Sequence, residues 1–148
     1  MTIKKRLICA VTAIMTFFTG TAIAQNMQQA GNTECGILYA DMDSVKIVKK
    51  DGKFYLMVFG EERYTDKQFL KKLHEGDGMG KVVSAIYLYL FNNNGTAYCI
   101  AANYLVDSEG KVCLDLGNDL VMKTIRKEDK ALLNVYTMSL KSLELKNH

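Results

Sequence analysis

The sequence predicts an α+β fold, in which an antiparallel β-sheet of about five or six strands carries a C-terminal amphipathic helix packed on one face. Three observations lead there. Short runs of β-branched and aromatic residues recur between Gly, Asn and Asp turns. Proline is absent from the 148 residues, so every chain reversal depends on those turn residues. Toward the C-terminus, apolar residues change from strand alternation to helical spacing.

The N-terminal segment stands apart. Lys4, Lys5 and Arg6 precede an uncharged apolar stretch over 7–18, followed by Thr19-Gly20-Thr21 and Ala22-Ile23-Ala24. A basic start, a short apolar run and small residues before a cleavage point define a secretory leader. Residues 1–24 are therefore expected to be cleaved as a signal peptide. The run is too short for a membrane anchor, which needs about 20 apolar residues, so the mature chain should hold no transmembrane segment. Cys9 lies at the start of the run, without a lipobox, and leaves with the leader. The expected location is the periplasm or the cell surface. The whole chain carries 19 basic and 16 acidic side chains, and the balance becomes even once Lys4, Lys5 and Arg6 are gone. A neutral domain has no overall attraction for phosphates or anionic lipid, which argues against a nucleic-acid partner.

Residues 25–35 are polar and aperiodic, and read as a flexible lead-in. Residues 36–148 then form a single domain, long enough to bury about two thirds of its surface.

The elements follow in order. Lys50-Asp51-Gly52-Lys53 separates apolar runs at 45–48 and 54–59, a hairpin pattern. Thr65-Asp66-Lys67-Gln68 resembles a capping box, and Phe69, Leu70 and Leu73 share the face of a helix. That helix ends in Gly76-Asp77-Gly78-Met79-Gly80, read as a mobile connection. Residues 86–91 are apolar on both faces and suit a central strand, with a buried helix as the competing reading. Asn92-Asn93-Asn94-Gly95, Asp107-Ser108-Glu109-Gly110 and Gly117-Asn118-Asp119 read as turns before strands at 96–106, 111–116 and 120–125. Glu128-Asp129 opens the last helix, whose apolar stripe is Leu132, Leu133, Tyr136, Leu140 and Leu143. Tyr87, Tyr89 and Phe91 share one strand face, Tyr98 and Tyr104 one on its neighbour. These aromatic faces are expected to form core beneath the helix.

The catalytic inventory is thin. His148 is terminal, and His74 sits at a helix end, where a solvated imidazole is the ordinary reading. His74, Glu75 and Asp77 lack ligand spacing, and no paired Cys or His motif marks zinc. Asp41 and Asp43 beside Ser44 lack the remainder of a calcium loop and are expected to bond backbone amides. Neither a nucleophile elbow nor a phosphate-binding loop occurs. No catalytic, metal or cofactor site is expected.

Three cysteines remain after the leader: Cys35, Cys99 and Cys113. Export places them in an oxidising compartment, and their odd number leaves a disulfide open. A tight turn at 107–110 would set Cys113 against Tyr104, about 16 Å along the strands from Cys99. That exceeds the Cα separation of about 7 Å that a bridge tolerates. Any disulfide should therefore include Cys35, with Cys99 and Cys113 equal candidates for the other half. Cys99 is otherwise a small buried hydrophobe.

Tyr39-Ala40-Asp41-Met42-Asp43-Ser44-Val45 precedes the Lys-rich turn. Much later come Cys99 and Tyr104-Leu105-Val106-Asp107-Ser108-Glu109-Gly110-Lys111. Over roughly residues 37–113 this pattern resembles the surface-adhesin protein E family, small exported proteins of Gram-negative bacteria. The chain departs from that family in lacking a proline segment before the last helix and a cysteine near the C-terminus. The resemblance implies an antiparallel sheet with a C-terminal helix and an adhesive, non-catalytic role.

The functional expectation is an exported non-catalytic binding protein of adhesin-like kind, with a protein partner. Its binding segments would be Gly76, Asp77, Gly78, Met79 and Gly80, with the 92–95 and 107–110 turns. A periplasmic inhibitor of a cell-wall-degrading or proteolytic enzyme is the alternative. A hydrolase or redox protein using Cys99 or Cys113 is a third reading.

Overall fold

A computed structural model describes residues 26–147; the expected leader at 1–24 and His148 lie outside the described residues. The strands are β1 (Met27–Asn32), β2 (Gly36–Asp41), β3 (Lys46–Lys50), β4 (Lys53–Tyr64), β5 (Ser84–Asn92), β6 (Ala97–Val106) and β7 (Val112–Thr124). The helices are α1 (Lys67–His74) and α2 (Lys130–Lys146), and a 3-10 turn spans Met42–Ser44. The sheet runs β1-β2-β4-β5-β6-β7, with β3 paired to β4 alone, and each pairing is antiparallel. This is the α+β arrangement expected, with a C-terminal helix on an antiparallel sheet. None of the described helices is long and apolar enough to cross a membrane.

The β3–β4 hairpin forms where expected. Asp51 (φ 52°) and Gly52 (φ 75°) both adopt positive φ, the pair of conformations that matches the twist of a two-residue hairpin. β4 is long because it serves two neighbours on one side. Its first part pairs with β3 and its last part with β2, while β5 runs along the other side.

Four expectations need correction. The supposed lead-in contains β1, with Ala30 buried, so the sheet has seven strands instead of five or six. No apolar alternation marks β1, because backbone pairing and the Asn134 side chain hold it; Asn134 Nδ2 donates to the Ala30 carbonyl at 2.8 Å. Gly117 does not start a new strand. It is an irregularity inside β7, with φ 77° and its amide donating to Asp115 Oδ1 at 2.7 Å. Tyr98 and Tyr104 lie on opposite faces, since Tyr98 pairs with Phe91 and Tyr104 with Ile86 across a register shift. The extra residue, Ala101, turns the alternation over. Finally, the helix stripe is shifted: Ala131, Val135 and Ser139 are the buried residues of α2, Leu132, Tyr136 and Leu143 of the expected stripe pack half-buried beside them, and Leu140 is exposed. Small side chains win that position because α2 sits close to β1. A Cβ on Gly31 would lie 3.2 Å from the Ala131 Cβ.

α2 covers one sheet face, where Leu38, Ala40, Leu56, Val58, Tyr89 and Phe91 meet Ala131 and Val135. Polar bonds fix its middle and its C-terminal end: Tyr136 donates its hydroxyl to the Asn93 carbonyl, and Ser142 and Lys146 both donate to the Met42 carbonyl. On the opposite face, Met57, Phe59, Leu88, Leu90, Cys99 and Ala102 form a second cluster from strand side chains. β5 thus has apolar neighbours on both faces, as its sequence predicts.

Candidate functional site

The register sorts the chain reversals into two groups. Gly36 pairs with Tyr64, Arg63 with Ser84, Ser84 with Val106 and Val106 with Val112. One end of the sheet therefore gathers the 33–35 turn, α1 with the connection after it, and the 107–110 turn. The far end holds the Asp51-Gly52 turn and the 92–95 turn. Of the three expected binding segments, the fold brings 76–80 and 107–110 to one end and separates 92–95 from them. The 92–95 turn instead seats α2. Gly95 has φ 69° and no room for a side chain, because the Tyr136 ring lies against it.

The 76–80 connection differs from the mobile loop expected. Gly76 N donates to the Leu73 carbonyl, Met79 N to that of Gly76 and Val82 N to that of Met79, at 3.1, 3.1 and 3.2 Å. Met79 is buried with Val82, Ala85 and Leu105, so the connection is anchored and only Gly76, Asp77, Gly78 and Gly80 are exposed. One methionine among glycines makes no period, which is why sequence reasoning missed the anchor. Upstream, Asp66 rather than Thr65 caps α1, its Oδ1 accepting from Phe69 N at 2.8 Å. His74 is exposed, with Nε2 2.8 Å from the Val82 carbonyl. In the neighbouring turn, Asp107 Oδ1 accepts from the amides of Glu109 and Lys111, each at 2.9 Å. Both reversals therefore present exposed polar side chains on hydrogen-bonded backbone.

Behind this end lies a polar cluster on the helix-covered face. Tyr87 donates its hydroxyl to Glu62 Oε1 at 3.0 Å, and Tyr64 hydrogen-bonds Tyr87. Burial first, then the Glu62 carboxylate, pushes the Tyr64 phenol up to about 12 and the Tyr87 and Tyr89 phenols well above their ordinary value. At neutral pH these hydroxyls stay protonated and act as donors. Gly60 makes room for the stack, since a Cβ there would lie 2.6 Å from Tyr89 Cε2. Asn103 stands opposite Tyr87, and its buried Oδ1 has no hydrogen-bond partner among the described residues. Sequence reasoning saw Tyr87 and Tyr89 as core. It missed Glu62 and Tyr64, which come from the neighbouring strand and meet them only through the register.

Cys35, Cys99 and Cys113 are all free, one of the outcomes that their odd number left open. Cys35 precedes the Gly36–Tyr64 pair, whereas Cys99 pairs with Leu90 and so aligns with Met57. That is about 26 Å along the strands. Cys113 is four strand spacings from Cys35, about 19 Å across the sheet. Burial is the first cause that pushes both the Cys35 and Cys99 thiols up, and Glu62 adds to it at Cys35.

Asp41 Oδ1 accepts from Asp43 N at 3.1 Å, and Ser44 Oγ donates to the Asp41 carbonyl and accepts from Phe59 N. Both carboxylate-rich residues thus sit in a turn that ties β2 to β4. Among the described residues, no three His, Cys, Asp or Glu side chains are placed to hold a metal ion. Compared with family models, curated proteins and solved structures, the chain matches none.

Proposed function

We propose that the chain is an exported, adhesin-like binding protein without catalysis, which holds a protein partner at the end of the sheet formed by 76–80 and 107–110. The observation that carries this reading is the convergence of those two reversals on anchored backbone at one end of the sheet, where Val83 N donates to the Val106 carbonyl and Asp77, Lys81, Glu109 and Lys111 are exposed. Contact loops that are already ordered lose little conformational entropy on binding. The Cys35 and Cys99 thiols and the His74 ring support a role without catalysis. Raised thiols have little thiolate at neutral pH, and the His74 ring is engaged by a backbone carbonyl. The leader-like residues 1–24 support export, and the resemblance to surface-adhesin protein E supports adhesion.

Affinity capture with the chain from Gln25 onward tests the proposal. It would be run beside an Asp77→Lys, Glu109→Lys double variant and an Asn94→Lys control at the far end. Reversing central interface charges should weaken the partner by about tenfold or more, while the control retains it. Met79 stays in place, so the anchor of the connection is untouched. Equal retention by all three proteins would overturn the site.

A further inference from the structure

We propose that the β3–β4 hairpin is a membrane-contact element that seats the protein on an anionic lipid surface. This lies beyond the partner site and does not depend on it. Lys46, Lys49, Lys50 and Lys53 cluster on the hairpin against a single acidic residue, Asp51. None of the four lysines forms an ion pair among the described residues. The nearby Asp43 is exposed on the 3-10 turn, and Asp119 is already paired with Lys123 at 2.7 Å. Net neutrality of the mature chain therefore conceals a local positive field.

Two apolar side chains share a sheet face with Lys49, while Lys46, Lys50 and Lys53 lie on the other face through the Lys46–Met57 and Lys50–Lys53 pairs. Phe54 is 57% exposed and Ile47 is 51% exposed, and both lie on the same sheet face through the Lys49–Phe54 and Ile47–Leu56 pairs. Lys49 Nζ lies 5.6 Å from the centroid of the Phe54 ring. Approaching tip first, the hairpin brings ammonium groups from both faces to headgroup phosphates, while the exposed Phe54 ring beside Lys49 enters the acyl boundary. A soluble polyanion would engage the lysines but give Phe54 and Ile47 nothing to bury against. Because β3 pairs only with β4, the hairpin stands off the main path of the sheet. Its tip lies at the end opposite 76–80 and 107–110, so lipid contact leaves the partner site facing away from the bilayer.

Sedimentation with vesicles tests this, using the chain from Gln25 onward, which holds every described strand and helix. The vesicles would be phosphatidylcholine alone and phosphatidylcholine with about 30% phosphatidylglycerol, a content at which each lysine near the surface adds about fivefold to partitioning. The expected result is binding to the anionic vesicles only, weakened by salt. A Lys46→Glu, Lys49→Glu, Lys53→Glu variant should partition at least about a hundredfold less, and Phe54→Ser about tenfold less. All four substitutions are at exposed positions, and far-ultraviolet circular dichroism checks that the fold is kept. Equal binding to neutral vesicles, undiminished binding by the triple variant, or binding to soluble polyglutamate with none to vesicles would each overturn the proposal.

Discussion

Tyr64, Tyr87 and Tyr89 make the alkaline limb of stability a property of single side chains. Their phenols titrate above the ordinary value near 10 in the folded chain, with Tyr64 at about 12. As pH rises through that window, the unfolded chain gives up protons that the folded chain keeps. The unfolded state then binds fewer protons, so stability falls with rising pH. Urea midpoints measured from about pH 8 to about pH 11.5 should decline steeply above pH 10. Tyr87→Phe should flatten that decline, while costing about 1 kcal/mol at neutral pH through loss of the bond to Glu62. A midpoint that stays level across the range would exclude buried, hydrogen-bonded phenols. The Asp41 carboxyl is likewise raised, by burial first, yet its Oδ1 still caps the turn.

Among the elements, α1 and its connection show how little local pattern is needed when one side chain is buried. Gly76, Gly78 and Gly80 favour an open loop, yet Met79 closes it against Val82, Ala85 and Leu105. Met79→Ala should leave a void and cost about 2–4 kcal/mol. Limited proteolysis should then cut within 76–80 faster than in the wild type, and thermal unfolding should shift down. Unchanged cleavage would mean that the hydrogen-bonded turns alone hold the connection. α2 teaches a complementary lesson. Its leucines mark a helix, but the face turned to the sheet is chosen by Ala131, Val135 and Ser139. At Ala131 the close approach to Gly31 on β1 leaves no room for a larger side chain.

For the molecule as a whole, the order of the strands sets a gradient of protection. β5 lies between β4 and β6 and has apolar clusters on both faces, whereas β3 pairs with one strand and β7 is the last in the sheet. Native-state hydrogen exchange should therefore be slowest in β5 and the adjoining parts of β4 and β6, and faster in β3 and β7. Exchange in β7 as slow as in β5 would contradict this. β7 also exposes Leu116 and Val121, and the side chains of Asp115 and Asp119 take up two of its amides. Such local bonds and register breaks blunt an edge that would otherwise invite another strand.

The α+β class, the β3–β4 hairpin, the central β5 and a C-terminal helix were legible because each depends on neighbours in the chain: turn residues with positive φ, alternation, or helical spacing. The leader expected over 1–24 rests on residue order alone and lies outside the described residues. What only the tertiary structure decided depends on partners distant in sequence. β1 exists through pairing with β2 and the bond from Asn134. The inserted Ala101 separates Tyr98 from Tyr104. The register joins Glu62 and Tyr64 to Tyr87, keeps Cys35 from Cys99 and Cys113, and gathers 76–80 with 107–110 while sending 92–95 away. Local propensity acts over a few residues, whereas register and close packing act across the sheet, where one added residue reverses which side of a strand faces the core.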